Sequence, residues 1–200
     1  MKVMKTILSG AALFVLSAPA LFAQSTTTND PPQTIQQRKE NQQDRIGQGV
    51  QSGQLTAGET KNLETKEAGL NKEEHTMRSE DDGHLTSADR TKLNNQQNHL
   101  SNQIYDDKHN AATQHEGTGE VGQRKENQQD RIGQGVKSGQ LTAGETSRLE
   151  HQEAGINREE RGMRAQDNGH LTKQDRQTIH HQQNQESRRI YRDKHNARVR

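Results

Sequence analysis

The stretch SEDDGHLTSADR, residues 79–90, gathers oxygen donors at short spacing: Glu80, Asp82, Thr86 and Asp89 stand around a central glycine, Gly83. Carboxylates and a hydroxyl in one loop are the ligand set of a hard cation, calcium above all. The same residues also suit a helix stop followed by a helix start. Gly83 can take the left-handed conformation that ends a helix. Thr86 can cap the next helix, and Asp89 favours its positive end. Arg78, just ahead of the loop, would set a cation beside any bound ion, so the capping reading is the simpler one.

Other chemistries find less support. Ten histidines include the matched pairs His84 with His170 and His109 with His195, but no three or four ligands converge by spacing as zinc or copper requires. There is no cysteine, and serines such as Ser52 and Ser87 fall in turns or helix starts without a base and an orienting acid. The expectation is a non-enzyme with no cofactor beyond weakly held calcium.

The elements that carry this loop come in duplicate. QRKENQQDRIGQGV occurs at 37–50 and at 123–136, and SGQLTAGET at 52–60 and at 138–146. The shift of 86 residues holds through YDDKHNA and YRDKHNA, and about 51 of about 75 aligned positions are identical. Each unit reads as three helices with narrow apolar stripes. Helix A carries Ile35, Ile46 and Val50; helix B carries Leu63, Leu70 and Met77; helix C carries Leu93, Leu100 and Ile104. Unit two repeats this with Ile132, Val136, Leu149, Ile156, Met163, Ile179 and Ile190. The predicted core adds Leu55 and Leu85 from beneath the turns. Gly69 and Gly155, in the middle of helix B, mark either a close helix crossing or a break.

The parts are expected as follows: a signal peptide at 1–23, a disordered tail and the start of helix A at 24–36, helical repeat 1 at 37–112, a flexible linker at 113–122, and helical repeat 2 at 123–200. Lys2 and Lys5 precede a short apolar run at 7–16 and then small residues, with cleavage after Ala20 or Ala23. The reading is therefore a periplasmic or secreted chain with no transmembrane segment once the signal is removed. Its formal charge goes from +1 to about −1 without Lys2 and Lys5. So few apolar side chains predict marginal stability or self-association. Whether the two units fold apart or against each other stays open.

With glycine at the sixth loop place, an apolar residue at the eighth and an acid at the twelfth, the two helix–loop–helix pieces of each unit resemble a degenerate EF-hand pair. The fold so implied is all-α: two tandem three-helix, EF-hand-like repeats joined by a flexible linker. The resemblance implies a short bridge between Leu55 and Leu85. It also implies a calcium site using Glu80, Asp82, Thr86 and Asp89 at the third, fifth, ninth and twelfth places, with Arg78 at the first. Such a site would work in the weak extracellular range of roughly 10⁻⁴ to 10⁻³ M. Four Leu-Thr-x-x-acid motifs are similar in type to those of small exported helical chaperones of the Spy/CpxP type.

Charge separates the units. Unit two is the more basic, and the excess lies in its last helix with Arg188, Arg189, Arg192, Lys194, Arg198 and Arg200. That helix is expected to meet a protein partner, another copy of the chain, or an anionic envelope surface. Nucleic acid is not expected. The function implied is binding, scaffolding or envelope-stress protection.

Overall fold

Five Thr-x-x-(Glu/Gln/Asp) boxes start five of the six helices, and each closes the same way. The threonine hydroxyl accepts from the amide three residues on, while that residue's side chain accepts from the threonine amide. In the computed structural model, which describes residues 33–114 and 119–198, the helices are α1 (Ile35–Gln51), α2 (Ala57–Glu80), α3 (Ser87–His109), α4 (Glu120–Ser138), α5 (Ala143–Gln166) and α6 (Lys173–Lys194). No strand occurs among the described residues, so the chain is all-α there. The signal peptide and most of the tail expected at 1–32 lie outside the described residues. No helix of the described residues is long and apolar enough to cross a membrane.

The caps carry a direct prediction. Thr142 Oγ1 lies 2.8 Å from Glu145 Oε2, and Glu145 N donates back to Thr142 Oγ1 at 3.3 Å. Thr142→Ala should lower stability by about 1 kcal/mol, read as a shift in the urea midpoint with an unchanged slope.

Ten of the eleven apolar residues predicted for the first half fall into one buried cluster, Ile46, Val50, Leu55, Leu63, Leu70, Met77, Leu85, Leu93, Leu100 and Ile104, and Ile35 packs against it partly buried. Gly49 makes room for Leu55, since a Cβ there would meet the Leu55 side chain at 2.6 Å. The bridge implied between Leu55 and Leu85 is replaced by something else. Leu55 N donates to Gly49 O at 3.0 Å, so the leucine is tied to the helix it follows.

The second half departs from this plan. Its apolar residues form two clusters, Ile132, Val136, Leu141, Leu149 and Ile190 in one and Val121, Ile156, Leu171 and Ile179 in the other. The break coincides with Glu186, which is fully buried at the place corresponding to Leu100, 86 residues earlier.

Polar side chains fill the interior that apolar ones leave. Gln42 Nε2 donates to Gln97 O at 2.7 Å, and Gln97 Nε2 to Ile35 O at 3.0 Å. The second half has the same bonds, Gln128 to Gln183 O at 2.9 Å and Gln183 to Val121 O at 3.0 Å. Gln43 and Gln129 donate to the buried carboxylates of Glu64 and Glu150. Each bond satisfies a buried amide that burial would otherwise penalise.

The expected linker is shorter than 113–122. α4 begins at Glu120, and Val121, which matches Ile35 in the first half, is buried against Ile156, Leu171 and Ile179. At the other end Gln114 is pinned to the first half: its amide donates to Gly53 O at 2.9 Å, and its side chain accepts from Ala57 N at 3.2 Å. The sequence places almost no apolar residue in this segment, so one buried valine was easy to overlook.

The two halves fold against each other, and α2 with α5 and α1 with α4 make the most extensive helix contacts. Val50, Gln51, Ser52 and Gly53 at the end of α1 border the same cleft as Glu126, Gln129 and Asp130 early in α4, so α1 and α4 run antiparallel. Their crossing point is reciprocal. A Cβ on Gly47 would stand 2.9 Å from Gly133 O, and one on Gly133 would stand 2.9 Å from Gly47 O. Residue i meeting residue j while j meets i is the mark of two-fold packing, here within one chain. Gly69 and Gly155 serve neither purpose foreseen for them. α2 and α5 pass through them unbroken, and nothing lies within 4 Å of a Cβ at either.

Candidate functional site

The loop after α2 is shaped by backbone requirements first. Asp82 and Gly83 both have positive φ, 50° and 88°, and Gly83 N donates to Arg78 O at 2.7 Å. This is a left-handed helix stop, one of the few conformations in which aspartate tolerates positive φ. The second half repeats it with Asn168 and Gly169 at 52° and 88°.

Arg78 then closes the loop. Its Nη1 donates to Gly83 O at 3.2 Å, and its Nε and Nη2 reach Glu74 Oε1 at 3.0 and 2.8 Å. The guanidinium thus holds a loop carbonyl of the kind a calcium ion would coordinate. Glu74 also takes Lys39 Nζ at 3.0 Å. Burial pushes the Glu74 carboxyl up, but the bonds from Lys39 and Arg78 outweigh it and the net shift is downward.

Of the four expected cation ligands, two are engaged elsewhere. Thr86 N and Oγ1 donate to Asp89 Oδ2 at 2.9 and 2.6 Å, and Asp89 N returns a bond to Thr86 Oγ1 at 3.1 Å. Asp89 therefore closes the capping box as fully as Glu59 does in the first loop. The bonds from Thr86 hold its carboxyl below the usual aspartate range. Glu80 and Asp82 are exposed. Among the described residues no three histidine, aspartate or glutamate side chains form a group suited to a metal ion.

The repeated DKHNA motif acquires a structural account. Asn110 Nδ2 donates to Glu59 Oε1 at 2.7 Å, and Asn196 to Glu145 Oε1 at 2.8 Å, so the end of each third helix is clasped to the start of the second. His109 and His195 stack on Tyr105 and Tyr191, with centroids 4.1 Å apart in both pairs. Their Nδ1 atoms lie 2.7 Å from the tyrosine carbonyl oxygens. Tyr105 and Tyr191 are the large apolar side chains that stand exposed among the described residues, at 58% and 61%.

An open groove runs between the first and third helices of each half, and Tyr191 lines the second. Arg45 spans the first, donating to Ser101 Oγ and O at 2.6 and 2.9 Å, and Arg131 spans the second, donating to Ser187 Oγ and O at 2.6 and 3.0 Å. The first groove holds about 590 Å³ and the second about 480 Å³. Sequence reasoning missed both, because a groove depends on the helix spacing and not on any local motif. The exposed tyrosine within a duplicated motif was the available signal.

Comparison with protein families, with curated proteins and with solved structures finds no match to this chain.

Proposed function

We propose that this chain is a non-catalytic, exported binding or scaffolding protein with a cell-envelope role. In this reading it is built from two tandem three-helix, EF-hand-like repeats that act as one platform. The observation that carries it is the pair of exposed Tyr–His stacks at matching places on the two halves, with Tyr191 on the wall of a groove. A rigid frame that presents paired aromatic surfaces suits a partner protein. The engagement of Arg78, Thr86 and Asp89 within the chain supports a capping role for the loop at 78–89 over an ionic one. Export rests on the basic and apolar pattern of residues 1–23.

Circular-dichroism melting in excess EDTA and then in millimolar calcium tests the reading against the calcium-binding alternative. Coincident melts are expected. A rise of several degrees with calcium, removed by Asp82→Ala, would replace the scaffold with an ion-responsive protein. Suppression of aggregation of a denatured client without any ion would favour the chaperone alternative instead.

A further inference from the structure

We infer that the exposed flank of α6, formed by Arg188, Tyr191, Arg192 and His195 beside Arg131, is a docking site for an acidic polypeptide segment. The inference deepens the binding reading above by assigning it a site and a partner chemistry, and it rests on that reading.

The spacing is the first argument. Positions 188, 191, 192 and 195 follow an i, i+3, i+4, i+7 pattern, so they form one stripe along the helix. All four are exposed. α6 packs on α4 and α5 and makes no packing contact with α1, α2 or α3 among the described residues, so this flank is not covered by the acidic first half. Arg188 has no ion-pair partner among the described residues. Arg192 meets the adjacent Asp193 at 3.2 Å yet keeps a side chain 70% exposed.

The duplication supplies an internal control. The corresponding stripe on α3 is Asn102, Tyr105, Asp106 and His109. Tyrosine and histidine are the same in both halves, and the stack geometry is the same. What differs within this stripe is charge: Arg188 stands for Asn102 and Arg192 for Asp106. Arg189 and Arg198, which stand for Gln103 and Ala112, lie outside the stripe and pair within the chain with Glu186 and Glu145. Unrelated drift on a solvated face would be expected to scatter in sign. Two changes toward arginine within one exposed stripe, beside Arg131, point to an anionic occupant.

The groove favours a polypeptide over a flat surface. Its walls include Arg131, Asn184, Ser187, Arg188 and Tyr191, a concave set of hydrogen-bonding groups around an aromatic ring. Guanidinium forks match carboxylates in a bidentate way. Asn184 Oδ1 and Ser187 Oγ accept from Arg124 and Arg131, and the Asn184 amide N–H and Ser187 hydroxyl remain as donors for a peptide backbone. The ring of Tyr191 is held against His195, which suits stacking on a side chain more than insertion into lipid.

The test uses the purified protein and a fluorescein-labelled glutamate-rich peptide, read by anisotropy. The double variant Arg188→Asn with Arg192→Asp installs the α3 residues, which the first half already carries in a folded helix; a circular-dichroism melt verifies that it folds. Binding to the native protein should weaken roughly tenfold or more in the double variant, and should weaken with added salt. The reverse graft, Asn102→Arg with Asp106→Arg, should strengthen binding by creating a second site. No binding, binding unmoved by the double variant, or binding to anionic phospholipid vesicles but not to the peptide would overturn the inference. Coincident calcium melts beside absent peptide binding would sink this site and leave the scaffold reading standing. A calcium-dependent melt beside peptide binding that the double variant abolishes would do the reverse.

Discussion

Glu186→Leu should raise the melting temperature at pH 8 by roughly 6–12 °C, and by much less at pH 5. Glu186 is fully buried, and its Oε2 takes Arg189 Nη1 at 3.2 Å. Burial pushes the carboxyl up to about 7 from the ordinary 4.5; Arg189 opposes this, as does Arg192 more weakly, and Asp193 adds to it. An acid whose folded-state pKa is raised stabilises the fold in its protonated form. That stability is full below about 4.5 and is lost as pH rises through about 7. Above that the buried carboxylate costs about 3 kcal/mol relative to the protonated chain. Leucine at 186 has no charge to desolvate, and Leu100 occupies the matching place in the first half, where the apolar core is continuous. Comparing variant with native protein at each pH cancels the other carboxylates that both contain. An equal gain at pH 5 and pH 8 would show that the carboxyl is not felt as a buried charge. Leu100→Glu should import the same pH dependence into the first half.

Gly47→Leu should cost about 3 kcal/mol and loosen α1 from α4. A Cβ at 47 would lie 2.9 Å from the backbone oxygen of Gly133 and 2.5 Å from Lys137 Cγ. The lysine stem can swing aside, but the carbonyl belongs to a helix and moves only if the helix moves. The sign of the smaller change is equally diagnostic. Alanine for glycine inside a helix normally gains about 1 kcal/mol. Gly69→Ala should show that gain, since nothing lies within 4 Å of its Cβ. Gly47→Ala should lose stability despite the same propensity gain. Urea titrations of the two alanine variants decide it, and a shift of the same sign in both would remove the close crossing as the reason for glycine at 47.

These two predictions divide along the line between local and distant information. Helix starts were legible because a capping box spans four residues, and Thr56 with Glu59 or Thr86 with Asp89 can be read without knowing what lies nearby. The core of the first half was legible because an apolar stripe repeats with the helix turn, and Leu63, Leu70 and Met77 leave that stripe little choice. The duplication was plain because it is a property of the letters alone. The helix stop at Gly83 and the helix start at Thr86 were legible in the same local way.

Tertiary contact decided the rest. No local pattern separates Gly47 from Gly69; both are glycines inside helices, and only the approach of α4 makes one of them necessary. No motif in the sequence marks Gln42, Gln43 and Gln97 as interior, yet each is buried where a carbonyl or carboxylate of another helix meets its amide. Val121 was lost in a polar segment, and its burial became visible only where Ile156 and Ile179 surround it. Glu186 is the sharpest case. A glutamate in a helix rich in arginine is expected to face water, and it is enclosed because α6 packs on α4 and α5 at a position that aligns in the sequence with Leu100. Periodicity and capping are written along the chain, whereas burial and close approach belong to pairs of helices that the chain brings together only after it has folded.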